Sequence, residues 1–213
     1  MVQRPENIAN IINGVERYNP ENIDALENYL NHQCENGQYD CEANLAILKL
    51  YQFNPQLAKE PIVAKILVKA LTALPAPDFN LCLYLLAEHA QFKSIESLTE
   101  LQQLLEQARY EKFWQSDLTA WTKVVPNFET EIRQVIARVI AMSYQTINAS
   151  TLSGYLGLKG DEFDKFCASQ QWQKNGDIVQ IPINKGNEAK AVVIRENIKF
   201  EQLTKVIGYS NEL

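Results

Sequence analysis

The sequence feature that most restricts the fold is a long amphipathic segment that begins after Asn127. Its apolar residues recur at spacings of mostly three and four, which places them on one face of a helix. They are Phe128, Ile132, Val135, Ile136, Val139, Ile140 and Ile147. A helix over Phe128–Ile147 would be about 30 Å long. Because the patterns before and after this segment differ, we expect the helix to connect two domains of different architecture.

The chain upstream of the long helix shows repeated helical spacing and no strand pattern. Two aromatic-Asn-Pro motifs, Tyr18-Asn19-Pro20 and Phe53-Asn54-Pro55, lie 35 residues apart. That interval is the length of two helices and two turns, and Asn followed by Pro is a typical helix start. A chance recurrence is the alternative explanation. Together these patterns predict an α-solenoid of HEAT-like helix pairs.

The chain downstream of the long helix predicts a winged-helix domain. Two short helical patterns are separated by a turn at Gly157–Gly160, and Asn175-Gly176 marks a tight turn. Ile178–Ile181 and Ala191–Ile194 are β-prone and are predicted to pair as a hairpin. Helix, turn, helix and hairpin follow one another in a winged helix.

The last apolar pattern of the chain predicts a C-terminal helix that packs back onto this domain. The fold class is therefore mainly α, with an α-solenoid followed by a winged helix. The predicted divisions are a helical-repeat domain at 1–126, a connecting long helix at 127–147, and a winged-helix domain with a C-terminal helix at 148–213.

The distribution of charge disfavours nucleic acid as a direct partner. The net charge is −6, and residues 1–147 carry all of it, with 12 Lys/Arg against 18 Asp/Glu. The second helix of the winged unit begins with Asp161, Glu162 and Asp164 and contains one lysine and no arginine. Acidic residues at a helix start repel phosphate, and a neutral or acidic domain lacks the cations that hold a phosphate backbone. We expect protein partners and no direct DNA contact.

No residue pattern indicates catalysis, a metal or a cofactor. His32, Cys34 and Cys41 lie close in sequence, but their spacing is irregular and no fourth ligand is nearby, so unpaired structural thiols explain them better. Three evenly spaced glycines follow no strand and precede no Lys-Ser/Thr pair, so they predict turns rather than a phosphate loop. With no nucleophile–base arrangement to name, we expect a protein that is not an enzyme.

The cellular compartment is predicted to be the cytoplasm. The N-terminal residues lack the apolar core of a signal peptide, and no apolar run is long enough to cross a membrane. The four cysteines show no paired disulfide framework, which is typical of a reducing compartment.

A helical-repeat array that leads into a winged helix resembles the PCI-type scaffold subunits of the proteasome lid, the signalosome and eukaryotic translation initiation factor 3. The residues are most similar to the subunit k family of that initiation factor, over nearly the whole chain up to about Asp177. The segments that carry this similarity are Arg17–Asn22, Tyr39–Pro55, Leu71–Pro75, Asp78-Phe79, Phe113-Trp114, Tyr144-Gln145 and Gln171-Trp172.

The resemblance implies a non-catalytic, cytoplasmic subunit of an assembly that binds the small ribosomal subunit and supports recruitment of mRNA and initiator tRNA. In that assembly, PCI and MPN subunits associate through winged helices and C-terminal helices, and subunit l is the neighbour implied most directly. Ribosome contact is implied only through the complex. The alternatives are a PCI scaffold subunit of the proteasome lid or signalosome, and a winged-helix nucleic-acid-binding regulator.

The candidate protein interface lies in the winged-helix domain and the tail. It consists of Ile178, Val179 and Ile181 of the hairpin and Ile207 and Tyr209 of the tail. The alternative is that the hairpin residues fill the small core, because a strand buries alternate side chains.

Overall fold

The computed structural model describes residues 4–86, 92–189 and 200–210 and confirms a mainly α fold with one small sheet. The α-helices are α1 Glu6–Asn13, α2 Ile23–Glu35, α3 Cys41–Phe53, α4 Glu60–Leu71, α5 Asp78–Leu85, α6 Lys93–Glu106, α7 Tyr110–Gln115, α8 Thr119–Val124, α9 Phe128–Ser143, α10 Ala149–Leu156, α11 Gly160–Ser169 and α12 Phe200–Ser210. The strands are β1 Thr146–Asn148, β2 Gln173–Asn175 and β3 Ile178–Gln180. Within the described ranges, no helix is long and apolar enough to cross a bilayer.

The N-terminal helices form a stack in which consecutive helices pack together. Helix α2 packs on α3, and α4 packs on both α5 and α6. Helices α3 and α4 are the most buried, and side chains around much of their circumference are inaccessible to solvent. Burial on several sides is expected for helices in the middle of a stack.

The two Asn-Pro motifs begin short 3-10 turns rather than α-helices, which corrects part of the repeat prediction. Pro20–Asn22 and Pro55–Leu57 are 3-10 turns. The Asn19 side chain caps its turn by accepting from the Glu21 N–H. The Asn54 side chain instead donates to the Leu50 carbonyl and closes the preceding helix. The motifs are therefore alike in sequence and position but not in hydrogen bonding.

A buried polar network fixes the corner between α2 and α3. Gln33 is fully buried, and its Oε1 accepts from the Asp40 N–H at 2.8 Å while its Nε2 donates to Asn44 Oδ1 at 3.0 Å. Asp40 caps α3 by accepting from the Ala43 N–H, and Arg4 donates two hydrogen bonds to the same carboxylate, at 2.6 and 2.8 Å. Each buried polar atom of the corner thereby has a partner.

This network predicts a pH-dependent contribution to stability. Burial alone would raise the pKa of Asp40. The hydrogen bonds that its carboxylate accepts from Arg4 and the Ala43 N–H hold the pKa below the ordinary value of 3.8. The pKa of Asp40 is therefore lower in the folded chain than in the unfolded chain. Its contribution to stability is complete above the ordinary pKa and is lost as the pH falls through the pKa of the folded state. Asp40→Asn keeps the cap acceptor and loses the charge.

We expect Asp40→Asn to lower the free energy of unfolding by about 1–2 kcal/mol near pH 7. Urea unfolding of both proteins measures the difference, which should shrink as the pH is lowered below about 4. A difference that stayed constant across that range would contradict this account.

The long helix ends four residues before the predicted boundary. Helix α9 ends at Ser143, the backbone is extended at Tyr144, and Ile147 lies in β1. Ile147 follows Ile140 by seven residues. In a helix this spacing would also place Ile147 on the buried face, so helical periodicity could not distinguish a helix from a strand at this residue. The β-branched pair Thr146-Ile147 favours the strand.

The hairpin partner also differs from the prediction. Strand β3 pairs antiparallel with both β2 and β1, in the spatial order β1-β3-β2. Ala191–Ile194, the predicted partner, lies outside the described residues. Strand β2 was missed because Gln173-Lys174-Asn175 has low β-propensity. The elements α9, β1, α10, α11, β2 and β3 follow the winged-helix order, which confirms that part of the fold.

The winged unit shares one continuous core with the helical stack. The Trp114 indole N–H donates to the Tyr155 carbonyl at 2.8 Å, and its ring lies 4.7 Å from the Arg133 guanidinium and close to Gly157. The Arg133 Nε–H donates to the Leu156 carbonyl at 3.1 Å. Helices α7 and α9 therefore hold the end of α10 in place.

Candidate protein interface

The outer face of the three-stranded sheet is exposed and carries no charge. The strand register forms two rows across it. One row is Thr146, Gln180 and Gln173, and the other is Asn148, Ile178 and Asn175. All six side chains are exposed, whereas α10 and α11 pack on the sheet from its other side. An uncharged face costs less to dehydrate than a charged one, and depletion of charge is a property of the centre of a protein interface.

Ile178 is the apolar centre of this face. Its side chain is 46% exposed, and together with Tyr144, Thr146 and Thr151 it lines a groove of about 290 Å³. Strands β1 and β2 are the two edges of the sheet within the described part of the chain. A free strand edge beside a groove that contains an exposed apolar side chain is a feature that protein partners use.

The structure separates the three hairpin residues of the predicted interface. Val179 and Ile181 are buried, at 0% and 5% exposure, so both are corrected from interface to core. Val179 lies opposite Ile147 on the inner side of the sheet, as alternation requires. The Ile181 N–H donates to the Gln145 carbonyl, which extends the pairing beyond β3 and holds the side chain inside. Of the three, only Ile178 remains available to a partner.

Helix α12 presents a second apolar surface. Leu203 and Ile207 are exposed and four residues apart, so they lie on one side of the helix, whereas Tyr209 points away from that side. The remaining side chains that the structure describes on α12 are also exposed. Leu203 and Ile207 are exposed, so they do not provide the buried side of the predicted contact, and packing of this helix onto the winged unit stays a prediction. Ile207 and Tyr209 belong to different sides and cannot form one patch.

The exposed side of α11 is acidic in the structure. Asp161, Glu162 and Asp164 face solvent near its start. Lys174 of the adjacent strand is neutralised by Asp164, with Nζ 2.7 Å from the carboxylate. The turn between β2 and β3 contributes Gly176 and Asp177 and no cation. This arrangement repels a phosphate backbone.

The histidine and cysteines that were considered as metal ligands have structural roles. Burial raises the pKa of Cys34, and raises that of Cys41 to about 11, so both thiols are protonated at neutral pH. Asn36 and His32 are hydrogen-bonded to each other. No group of His, Cys, Asp and Glu among the described residues is placed to hold a metal ion.

An open cleft of about 560 Å³ beside Trp114 is lined by the paired side chains of Glu129 and Arg133 and by Lys123. Arg133 stacks on Trp114 and donates to Glu129 at 3.0 Å as well as to the main chain. The cation therefore stabilises the junction with the winged unit and is not free for a ligand.

Sequence reasoning missed the polar part of the outer face. Thr146, Gln173, Asn175 and Gln180 are ordinary surface residues until the register aligns them. The available signal was the tight turn at Asn175-Gly176, which could have placed β2 directly before it. The misassigned end of the long helix concealed β1 and, with it, the third strand.

Helix pairs that lead into a winged helix define a mainly α, PCI-like fold. The chain belongs to the CSN8/PSMD8/EIF3K family, whose profile matches residues 57–193. It is 41% identical to a protein named eukaryotic translation initiation factor 3 subunit K from Botryotinia fuckeliana, over 98% of this chain and 95% of that one. The proteins of the same name from Sclerotinia sclerotiorum and Phaeosphaeria nodorum are 42% and 40% identical, each over 99% of this chain and 95% of their own length.

Proposed function

We propose that this chain is a non-catalytic, cytoplasmic scaffold subunit of eukaryotic translation initiation factor 3, and that it acts in translation initiation through protein contacts. The observation that carries the proposal is the likeness to subunit K proteins over nearly the whole of both chains. The uncharged sheet face and the acidic α11 support a role in protein association rather than in nucleic-acid reading.

The proposed interface consists of Ile178 on the sheet face and of Ile207 and Tyr209 on α12. Ile207 would act together with Leu203, and Tyr209 would contact a separate partner surface. Burial of an aliphatic side chain contributes about 1.5–3 kcal/mol, so a few such residues are enough to matter for assembly. Subunit l is the proposed direct neighbour, and contact with the small ribosomal subunit would be made through the complex.

We divide the chain into a helical-repeat domain at 1–126, a connecting segment at 127–147 that contains α9 and the start of β1, and a winged-helix domain at 148–213. The domains would act as one rigid unit because Trp114 and Arg133 tie α7 and α9 to the end of α10. A rigid scaffold positions its interface without the entropy cost of ordering it on binding.

The second candidate function is a scaffold subunit of the proteasome lid or signalosome. The description of the family, which also names CSN8 and PSMD8, is the observation that favours it. Mass spectrometry of proteins that co-purify with the tagged chain from cytosol separates the two. We expect to recover initiation factor 3 subunits. Recovery of proteasome lid or signalosome subunits alone would favour the second candidate function.

A further inference from the structure

The two aromatic-Asn-Pro motifs meet at the surface of the helical stack, far along the chain from the winged helix. The rings of Tyr18 and Phe53 are in contact, with centroids 6.2 Å apart, yet they remain 53% and 58% exposed. Val15 is 83% exposed and is three residues before Tyr18 in one 3-10 helix, so both side chains lie on the same side. Three large apolar groups thus form one exposed cluster.

Two cations lie over these rings. Lys49 Nζ is 4.9 Å from the centroid of the Phe53 ring, and Arg17 Cζ is 5.6 Å from that of Tyr18. Lys49 donates to the neutral amide of Gln52, and neither cation has a carboxylate partner among the described residues. Glu16, the adjacent acid, instead accepts hydrogen bonds from Asn19 and Asn22.

Both cations lie over rings that are in contact, in a part of the chain that is acidic overall. Residues 1–147 carry 12 Lys/Arg against 18 Asp/Glu. Two cations without acidic partners beside exposed apolar rings provide charge and apolar surface together, and a ligand of complementary character would carry carboxylates next to an apolar side chain.

We propose that Val15, Arg17, Tyr18, Lys49 and Phe53 form an aromatic–cation patch that binds an acidic peptide segment of a partner protein. A carboxylate of the peptide pairs with Lys49 or Arg17, and an aromatic or leucine side chain packs on the exposed Tyr18 and Phe53 rings. This surface is additional to the sheet face and α12 and does not depend on the proposed function.

A single-stranded nucleic acid is the less suitable ligand for the patch. Two cations neutralise few phosphates, and residues 1–147 have a net charge of −6, which repels a polyanion.

Selection of random phage-displayed peptides on the full chain tests the proposal. We expect enriched peptides to combine Asp or Glu with an aromatic residue or leucine. The most enriched peptide, made synthetically with a fluorescent label, should bind Lys49→Glu and Phe53→Ala about tenfold more weakly than the unaltered chain. Circular dichroism and thermal unfolding verify that both variants are folded.

Tyr84→Ala serves as the matched control. It removes an exposed aromatic ring from α5, outside the patch, and should bind the peptide normally. The proposal is overturned if no peptide is enriched above the level on Lys49→Glu, or if the enriched peptides lack acidic residues. It is also overturned if labelled oligouridine binds and the patch variants weaken that binding while peptide binding is unchanged.

Discussion

Glu131→Gln should destabilise the chain by about 3 kcal/mol, because it leaves a buried ammonium group without a counter-charge. The Lys69 side chain on α4 is 1% exposed, and its Nζ lies 2.8 and 3.1 Å from the two carboxylate oxygens of Glu131 on α9. A glutamine retains one acceptor and loses the charge. For a chain of this size, the loss corresponds to a fall in melting temperature of about 6–12 °C.

The neighbouring pair on the same helix provides the control. Glu129 and Arg133 are four residues apart, and the Glu129 side chain is 40% exposed, twice as much as that of Glu131. Glu129→Gln should therefore cost only about 0.5 kcal/mol. Differential scanning calorimetry of both variants compares them directly. If the two melting temperatures fell equally, the Lys69–Glu131 pair would not be the electrostatic link between α4 and α9.

Gly157→Ala should destabilise the junction with the winged unit by about 2–4 kcal/mol. Gly157 ends α10 with φ +61°, a conformation that costs a residue with a Cβ about 1–2 kcal/mol. The added Cβ would also lie 2.9 Å from the Trp114 ring, so the ring must move. Movement of Trp114 weakens its hydrogen bond to Tyr155 and its stacking with Arg133.

Gly160→Ala separates these two causes. Gly160 has φ +56° and nothing within 4 Å of its added Cβ, so only the conformational cost of about 1–2 kcal/mol applies. Chemical unfolding followed by tryptophan fluorescence measures both variants. Equal losses from the two substitutions would show that contact with Trp114 contributes nothing to holding the winged unit.

The sequence could predict the fold wherever a pattern of apolar residues is compatible with only one kind of secondary structure. The apolar stripe over Phe128–Ile140 can only be the buried face of a helix, and it is. Ile147 fits both a helix and a strand, and long-range pairing of β1 with β3 decides between them. Sequence periodicity contains no information about which segments will pair.

The candidate interface was predicted less completely for the same reason. Ile178 and Val179 are neighbours of equal hydrophobicity, and only the register shows that the first is exposed and the second is buried. The exposed Tyr18–Phe53 contact was equally hidden, because the recurrence of the motif indicates a repeat and not that two of its copies touch. Acidic α11 residues were predictable, because charge at the start of a short helix is seldom buried.

We propose that this chain associates with other proteins through the uncharged sheet face and α12. The most direct test is the Kd of purified variants for the assembly that the unaltered chain co-purifies with, measured by biolayer interferometry. We predict that Ile178→Lys and Ile207→Lys each weaken binding at least about tenfold, while Asp164→Asn on α11 leaves it unchanged. Unchanged binding by both isoleucine variants, with all three proteins folded, would contradict the claim.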